Sequence, residues 1–247
     1  MISVCILTKN SSATLEKTLK SVCSFSEVLI LDNGSTDDTL LIAASFANVQ
    51  IRHSPFIGFG NLRNQAAKFA KYDWILALDS DEELSFSLLE EFKNLSLQND
   101  YVYSISRHNF YNGKRIRGCG WDPDRVVRLY NRQQTQYDEA DVHEAVLVKH
   151  LQKIALCHPI FHTPYRSTEE FLSKMQHYSS LFAQQNVGKK RSSFLKALAK
   201  GSFSFFRSYF LQKGLFLGKE GFLISLYNAN TTFYKYLKLA EKSSSFS

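Results

Sequence analysis

Apolar and polar positions along the first eighty residues follow two alternating patterns. Short apolar runs at residues 2–7, 28–31, 49–53 and 74–78 have the length of buried strands. Between them lie segments of helical spacing. One runs to Ser21 behind Ser11-Ser12 as a cap, one spans 37–46 and one spans 61–69. Strands alternating with helices predict right-handed crossovers and an α/β fold with a mainly parallel, Rossmann-like sheet. Thr8, Asp32, Pro55 and Asp79 then stand at strand C-termini along one edge, where open α/β sheets bind ligands. The pattern changes after residue 100. Residues 101–161 read as mixed β structure with a turn at Asn112-Gly113. Residues 167–186, 192–211 and 219–241 read as three helices, separated by Gly188 and by the glycines between 214 and 221.

The chemistry concentrates where the fourth strand ends, in Leu78-Asp79-Ser80-Asp81-Glu82-Glu83. Carboxylates gathered this closely repel one another unless a cation or hydrogen bonds neutralise them. Asp-x-Asp at a strand end therefore suggests a divalent metal holding phosphate oxygens, and Mg²⁺ or Mn²⁺ suits an all-oxygen set. The same acids could instead sit at the start of the next helix, where negative charge is favoured. The first strand runs into Thr8-Lys9-Asn10-Ser11, so the glycine-rich dinucleotide fingerprint is missing, and no P-loop follows elsewhere. Asp32 precedes a Gly34 turn and could accept from a base or a ribose. As a lone motif it favours an Asx turn with a helix cap over a ligand contact.

Taken in order, Thr8-Lys9-Asn10, Leu31-Asp32-Asn33-Gly34-Ser35-Thr36-Asp37-Asp38-Thr39, Asn61-Leu62-Arg63-Asn64-Gln65-Ala66 and Leu78-Asp79-Ser80-Asp81-Glu82-Glu83 resemble the family 2 glycosyltransferases of the GT-A fold over roughly residues 1–150. Gly120-Trp121-Asp122-Pro123-Asp124, Arg128-Leu129-Tyr130 and Val142-His143-Glu144 narrow the likeness to the branch that builds the lipopolysaccharide inner core. So does the tail, with Gly214-Leu215-Phe216-Leu217-Gly218 and Glu220-Gly221-Phe222. One departure is Gly218-Lys219, where an acidic residue is expected beside glycine. The resemblance implies that Asp81 holds the metal, that Asp79 touches the ribose or the metal, and that Asp32 reads the base, usually uracil. It also implies that Thr8 and Asn10 line the nucleotide pocket. Arg63 could pair with a phosphate or with Asp79.

An inverting transferase needs a base for the acceptor hydroxyl's proton. Glu144, Asp122, Asp124 and Asp141 are the candidates, Glu144 first and Asp122 second. His143 is expected as a metal or phosphate contact, just before an apolar strand at 145–148. A regular strand would point His143 and Glu144 to opposite faces. Trp121 offers a flat apolar face for a sugar ring, and Asp124 is placed with it on the acceptor side.

The four cysteines are scattered, with no Cys-x-x-Cys, which argues for a reducing compartment and against a zinc site. The first strand begins at Ile2, with no basic n-region and apolar core of a signal peptide. Charge is uneven. Residues 166–247 carry 13 Lys/Arg against 4 Asp/Glu, whereas the remainder carries 17 against 19. The same tail holds 16 of the 34 aromatic residues and no apolar run long enough to span a bilayer. A basic, aromatic-rich helical tail fits an anionic membrane surface. Nucleic acid ranks lower because no motif for it is present, and packing on a second subunit is the structural alternative.

The expected organisation is a GT-A domain at 1–165, with a nucleotide-sugar half at 1–100 and an acceptor half at 101–165, followed by a helical extension at 166–247. The expected activity is metal-dependent transfer of a hexose, glucose by resemblance, from a UDP-sugar to a lipid-linked inner-core saccharide. The expected location is cytoplasmic, peripheral on the inner membrane face. A transferase for another surface glycan, a nucleotidyltransferase and a non-catalytic sugar-nucleotide-binding module are the alternatives.

Overall fold

The computed structural model describes residues 1–140, 144–148 and 150–244. They form two compact units. The first comprises Met1–His108 and Asp124–His162, the second Asn109–Pro123 and Thr163–Ser247.

In the first unit, β1 (Ile2–Thr8), β2 (Val28–Asp32), β3 (Val49–His53) and β4 (Trp74–Asp79) are parallel in the spatial order β3-β2-β1-β4. The apolar runs predicted all four. Helices α1 (Leu15–Ser21), α2 (Thr39–Ala44) and α3 (Phe59–Phe69) are the crossovers. Alternation along each strand explains the layers. Val4, Ile6, Val28, Ile30, Leu76 and Leu78 pack on one face with Leu15 and Leu19 of α1 and Leu88 and Phe92 of α4 (Phe86–Asn94). Cys5, Leu7, Leu29, Leu31, Ile75 and Ala77 pack on the other with Leu62, Ala66 and Ala70. Both faces are covered, which is why these strands read as continuous apolar runs rather than alternating ones.

The acidic stretch after β4 does not open a helix. Glu82–Leu84 forms the short strand β5, and α4 begins only after Ser85, whose side chain accepts from the Leu88 amide. Beyond it, β6 (Tyr101–Tyr111), β7 (Lys114–Arg115), β8 (Arg125–Asn131), β9 (Gln152–Ala155) and β10 (Ile160–His162) supply the mixed β structure. β8 lies antiparallel to β4 and to the first half of β6 and extends the sheet.

The apolar strand expected at 145–148 is corrected. Val146 makes an isolated antiparallel bridge to Tyr137. The segment folds back on residues 136–138, with Asp138 N bonded to Ala145 O and Leu147 N to Gln136 O, both at 2.9 Å. Its backbone is satisfied locally, so it never joins the sheet.

In the second unit, the end of β6 and β7 form a hairpin through Asn112-Gly113. α5 (Thr168–Asn186), α6 (Phe194–Phe206) and α7 (Lys219–Ser244) follow. A π-helical turn, Arg207–Leu211, and a 3-10 turn, Gly214–Leu217, join the last two. Ser167 and Ser193 cap α5 and α6 through their side chains. Gly221 permits the closest approach here, since a Cβ at that position would lie 1.9 Å from the Gly214 carbonyl oxygen. Phe171 stacks on Tyr227 at 3.7 Å and ties α5 to α7.

Candidate active site

Parallel register brings the chemistry to one edge. Thr8 lies beside Asp32, and Leu7 beside Asp79. Asp32 is buried and accepts from Thr8 Oγ1 at 3.1 Å, the Gly34 and Ser35 amides at 2.9 Å and Ser35 Oγ at 2.5 Å. Burial opposes its ionisation, but the Ser35, Gly34 and Thr8 donors win and hold its carboxyl below the usual carboxylate value. The same bonds build the Gly34 turn. Asn10 joins the two loops, accepting from the Thr36 amide at 2.8 Å and donating its own amide to Ser35 Oγ at 2.9 Å.

Asp79 is set among arginines. Arg63 from α3 binds one carboxylate oxygen, and Arg128 from β8 binds the other at 2.5 Å. Burial raises the Asp79 pKa, but Arg128 and Arg63 more than offset it, so the group sits well below the ordinary carboxylate range. Glu82 is fully buried and receives Arg128 at 2.6 Å, Arg107 at 3.2 Å and the Asp79 amide at 3.0 Å. Arg107 in turn grips Asp124 with two bonds, at 2.9 and 3.2 Å. Each buried charge thus meets an opposite one at hydrogen-bonding distance, the condition under which such groups are tolerated inside a protein.

Glu144 joins the same network, its Oε1 accepting from Arg63 Nε at 3.3 Å. Helix α3 holds the loop that carries it. The side chain of Asn64 donates to the Tyr137 carbonyl at 3.0 Å and accepts the Tyr137 amide at 2.9 Å. Gly60 lets residues 138–140 approach, because a Cβ there would meet the Asp138 carbonyl oxygen at 1.9 Å. Arg63, Asn64 and Gly60 are therefore one device, and the Asn61-to-Ala66 motif is explained by it. His143 and Asp141 lie outside the described residues.

Asp81 points elsewhere. Its Oδ1 stands 3.6 Å from His162 Nε2 on β10. Burial disfavours the imidazolium, but the Asp81 hydrogen bond and charge, with Glu82 behind them, raise the His162 pKa above its usual value. Among the described residues no three His, Cys, Asp or Glu side chains converge as a ready metal cluster. Both oxygens of Asp79 are taken by guanidinium groups. Among the described residues Asp81 is then the carboxylate of the motif that could hold a divalent cation, with His162 beside it, and a carboxylate oxygen suits Mg²⁺ or Mn²⁺ when phosphate oxygens and water complete the shell.

The remaining candidates divide between the units. Asp124 is committed to Arg107 in the first. In the second, Asp122 lies 3.6 Å from Arg115, and the Trp121 ring faces Tyr165 at 5.9 Å. Sequence reasoning missed Arg107, Arg128 and His162. A lone arginine within the apolar Val126-Val127-Arg128-Leu129-Tyr130 was the available signal, since a cation in a buried strand must have a partner.

The α/β sheet with its acidic strand end, followed by a helical region, has the GT-A fold. The solved structure of S. aureus TarS 1-349 in complex with UDP-GlcNAc shares the fold, with a TM-score of 0.50 at 15% identity, over 99% of this chain and 91% of that one. The chain belongs to glycosyl transferase family 2, whose sequence profile matches residues 3–153. It is 31% identical to an uncharacterized glycosyltransferase of Rickettsia prowazekii, over 98% of this chain and 87% of the relative. It is 26% identical to the lipopolysaccharide core biosynthesis glycosyltransferase LpsC of Rhizobium meliloti, over 98% and 92%.

Proposed function

We propose that the protein is an inverting hexosyltransferase that uses a UDP-sugar, UDP-glucose first, and a lipid-linked lipopolysaccharide core saccharide as acceptor. The observation that carries this is the joining of Asp79 and Glu144 at one strand end through Arg63, with Arg128 linking Asp79 to Glu82 and the Asp81–His162 pair following in the same acidic stretch. The full-length similarity to LpsC supports the acceptor class.

In this reading Thr8, Asn10 and Asp32 form the nucleotide pocket, Asp32 by fixing the turn and presenting its carboxylate edge to the base. Asp79, locked by its arginines, takes the ribose side. Asp81 and His162 would hold Mg²⁺ or Mn²⁺, which when bound neutralises charge on the diphosphate leaving group. Glu144 removes the proton from the acceptor hydroxyl. The oxygen then bonds to the anomeric carbon as the bond to the UDP oxygen breaks, and the single displacement inverts the centre. Arg63 keeps Glu144 oriented for that transfer. Trp121 and Asp122 are assigned to the acceptor, with Asp122 the alternative base.

In this reading the enzyme works at the inner face of the cytoplasmic membrane on a lipid-linked acceptor. Four free cysteines are consistent with a reducing compartment. Among the described residues no helix is long and apolar enough to cross a membrane. Mass spectrometry of extracted glycolipid incubated with a panel of UDP-sugars and a divalent cation tests the reading. A gain of one hexose from UDP-glucose supports it. Turnover of nucleoside triphosphates instead would place the protein among nucleotidyltransferases.

A further inference from the structure

Helix α6 is built inside out for a helix in water. The residues that α6 and the π-helical turn after it bury are small or polar. Ala197, Gly201 and Ser208 are buried at i, i+4 and i+11, and Ser204 lies between them. Gly201 lets the helix close on α7, where a Cβ would meet Phe233 Cβ at 3.0 Å. Hydroxyl and amide groups glue this seam. Ser204 Oγ donates to the Asn228 carbonyl at 3.2 Å, and Ser225 Oγ and Asn228 Nδ2 both reach Ser208 Oγ at 3.0 Å. Small residues with polar glue are how helices associate in a lipid environment.

The large apolar side chains of the same segment face outward. Leu195, Phe203 and Leu211 are more than half exposed, and Leu198, Phe206 and Phe210 about half. Phe216, on the following 3-10 turn, is 82% exposed. The helical positions of Lys196, Lys200 and Arg207 place them in one row along the flank of this surface. On the same flank a polar recess of about 300 Å³ is lined by Ser204, Arg207, Asn228, Thr232 and Lys235.

An exposed apolar face bordered by cations is the arrangement of a helix lying in a membrane interface. We infer that α6 and the turns after it seat the second unit on an anionic lipid bilayer, with Leu195, Leu198, Phe206 and Phe210 among the acyl chains and a headgroup phosphate in the recess beside Arg207 and Lys235. This rests on the proposed action at a membrane and names the element responsible. Charge complementarity decides the occupant. A second copy of this chain would bring the same cationic row to its own, whereas anionic headgroups meet it with opposite charge.

Flotation with vesicles tests the inference without any turnover. The full chain is mixed with phosphatidylcholine vesicles containing 30% phosphatidylglycerol, or none (~30% being enough to give a strongly anionic surface). Wild type is expected to float at least about tenfold better with the anionic vesicles, and to lose that advantage in salt. Replacing Leu195, Leu198, Phe206 and Phe210 together by Ser should abolish flotation, and circular dichroism checks that the helices persist. Changing Lys196, Lys200 and Arg207 to Gln should remove the anionic preference. As an independent measurement, Phe206→Trp should add fluorescence that brominated acyl chains quench. Flotation of the four-serine variant at the wild-type level, or no quenching at position 206, overturns the inference. So does a wild-type dimer that fails to float and becomes monomeric on the serine substitutions, which would give the face to a second copy. UDP affinity by calorimetry is read in parallel. Its absence in wild type would sink the transferase reading and leave the flotation result standing.

Discussion

At the scale of single residues, the proposed roles separate by what each side chain already holds. Among the described residues Glu144 makes one long bond, from Arg63 Nε to its Oε1 at 3.3 Å, which leaves the other oxygen for the proton in the proposed role. Glu144→Gln keeps the shape and removes the basicity. Transfer is expected to fall about 10²–10⁴-fold with UDP-sugar affinity unchanged. If steady-state assays show full activity in this variant and loss in Asp122→Asn, the base is Asp122. Among the described residues Asp81 has only His162 within ion-pair reach. Asp81→Asn should therefore abolish the difference that added Mn²⁺ makes to UDP binding while leaving the thermal melt near wild type; an unchanged metal response in calorimetry would assign the cation elsewhere. Asp79 is different in kind. Removing it leaves Arg63 with Glu144 and Arg128 with Glu82 as their remaining partners in a buried site, a destabilising change, so an inactive Asp79 variant says little about chemistry unless its fold is shown intact.

At the scale of elements, the parallel core was legible because each apolar run had a single reading. Residues 2–7, 28–31, 49–53 and 74–78 are all strands, since a segment buried on both faces must be apolar throughout. The site was half legible. Asp79, Asp81 and Glu144 declared themselves as carboxylates beside an apolar run or a turn. Arg107, Arg128 and His162 did not, because their roles depend on strands that meet only in the folded sheet, 17 or more residues away from their partners in sequence. The segment at 145–148 misled for a related reason. Its apolar content fits a strand, but its backbone finds partners in 136–138 first. The same loop yields a prediction about α3. Gly60→Ala drives a methyl into the Asp138 carbonyl and must displace the segment leading to Glu144. It should reduce kcat by at least about tenfold, a loss of about 1.4 kcal/mol of transition-state stabilisation, while UDP affinity, which the proposal gives to the Asp32 turn, stays near wild type. Equal loss in both quantities would mean the change spreads through α3 itself.

At the scale of the whole molecule, the distribution of thiols can be checked without any substrate. Cys5 and Cys119 are buried, and Cys23 and Cys157 are exposed. Burial, with the charge of Glu27 added, pushes the Cys5 thiol up to about 12, and burial raises Cys119 as well. Since the thiolate is the reactive form, alkylation at pH 8 should label Cys23 and Cys157 in the native protein and all four after denaturation. Rapid labelling of Cys5 in the folded chain, followed by intact-mass spectrometry, would contradict the packing of β1 against α3. A last consequence follows from the ring of arginines and carboxylates around Asp79. Among the described residues Arg63 and Arg128 each serve two acidic partners and Arg107 three, while Asp79 answers three arginines and Glu82 two. A change at any one of these positions strands a charge elsewhere, so single substitutions are penalised even where a compensating pair would be neutral. Over many generations such positions are expected to be inherited as a block, drifting together or not at all, while the loops around them diverge to suit new sugars.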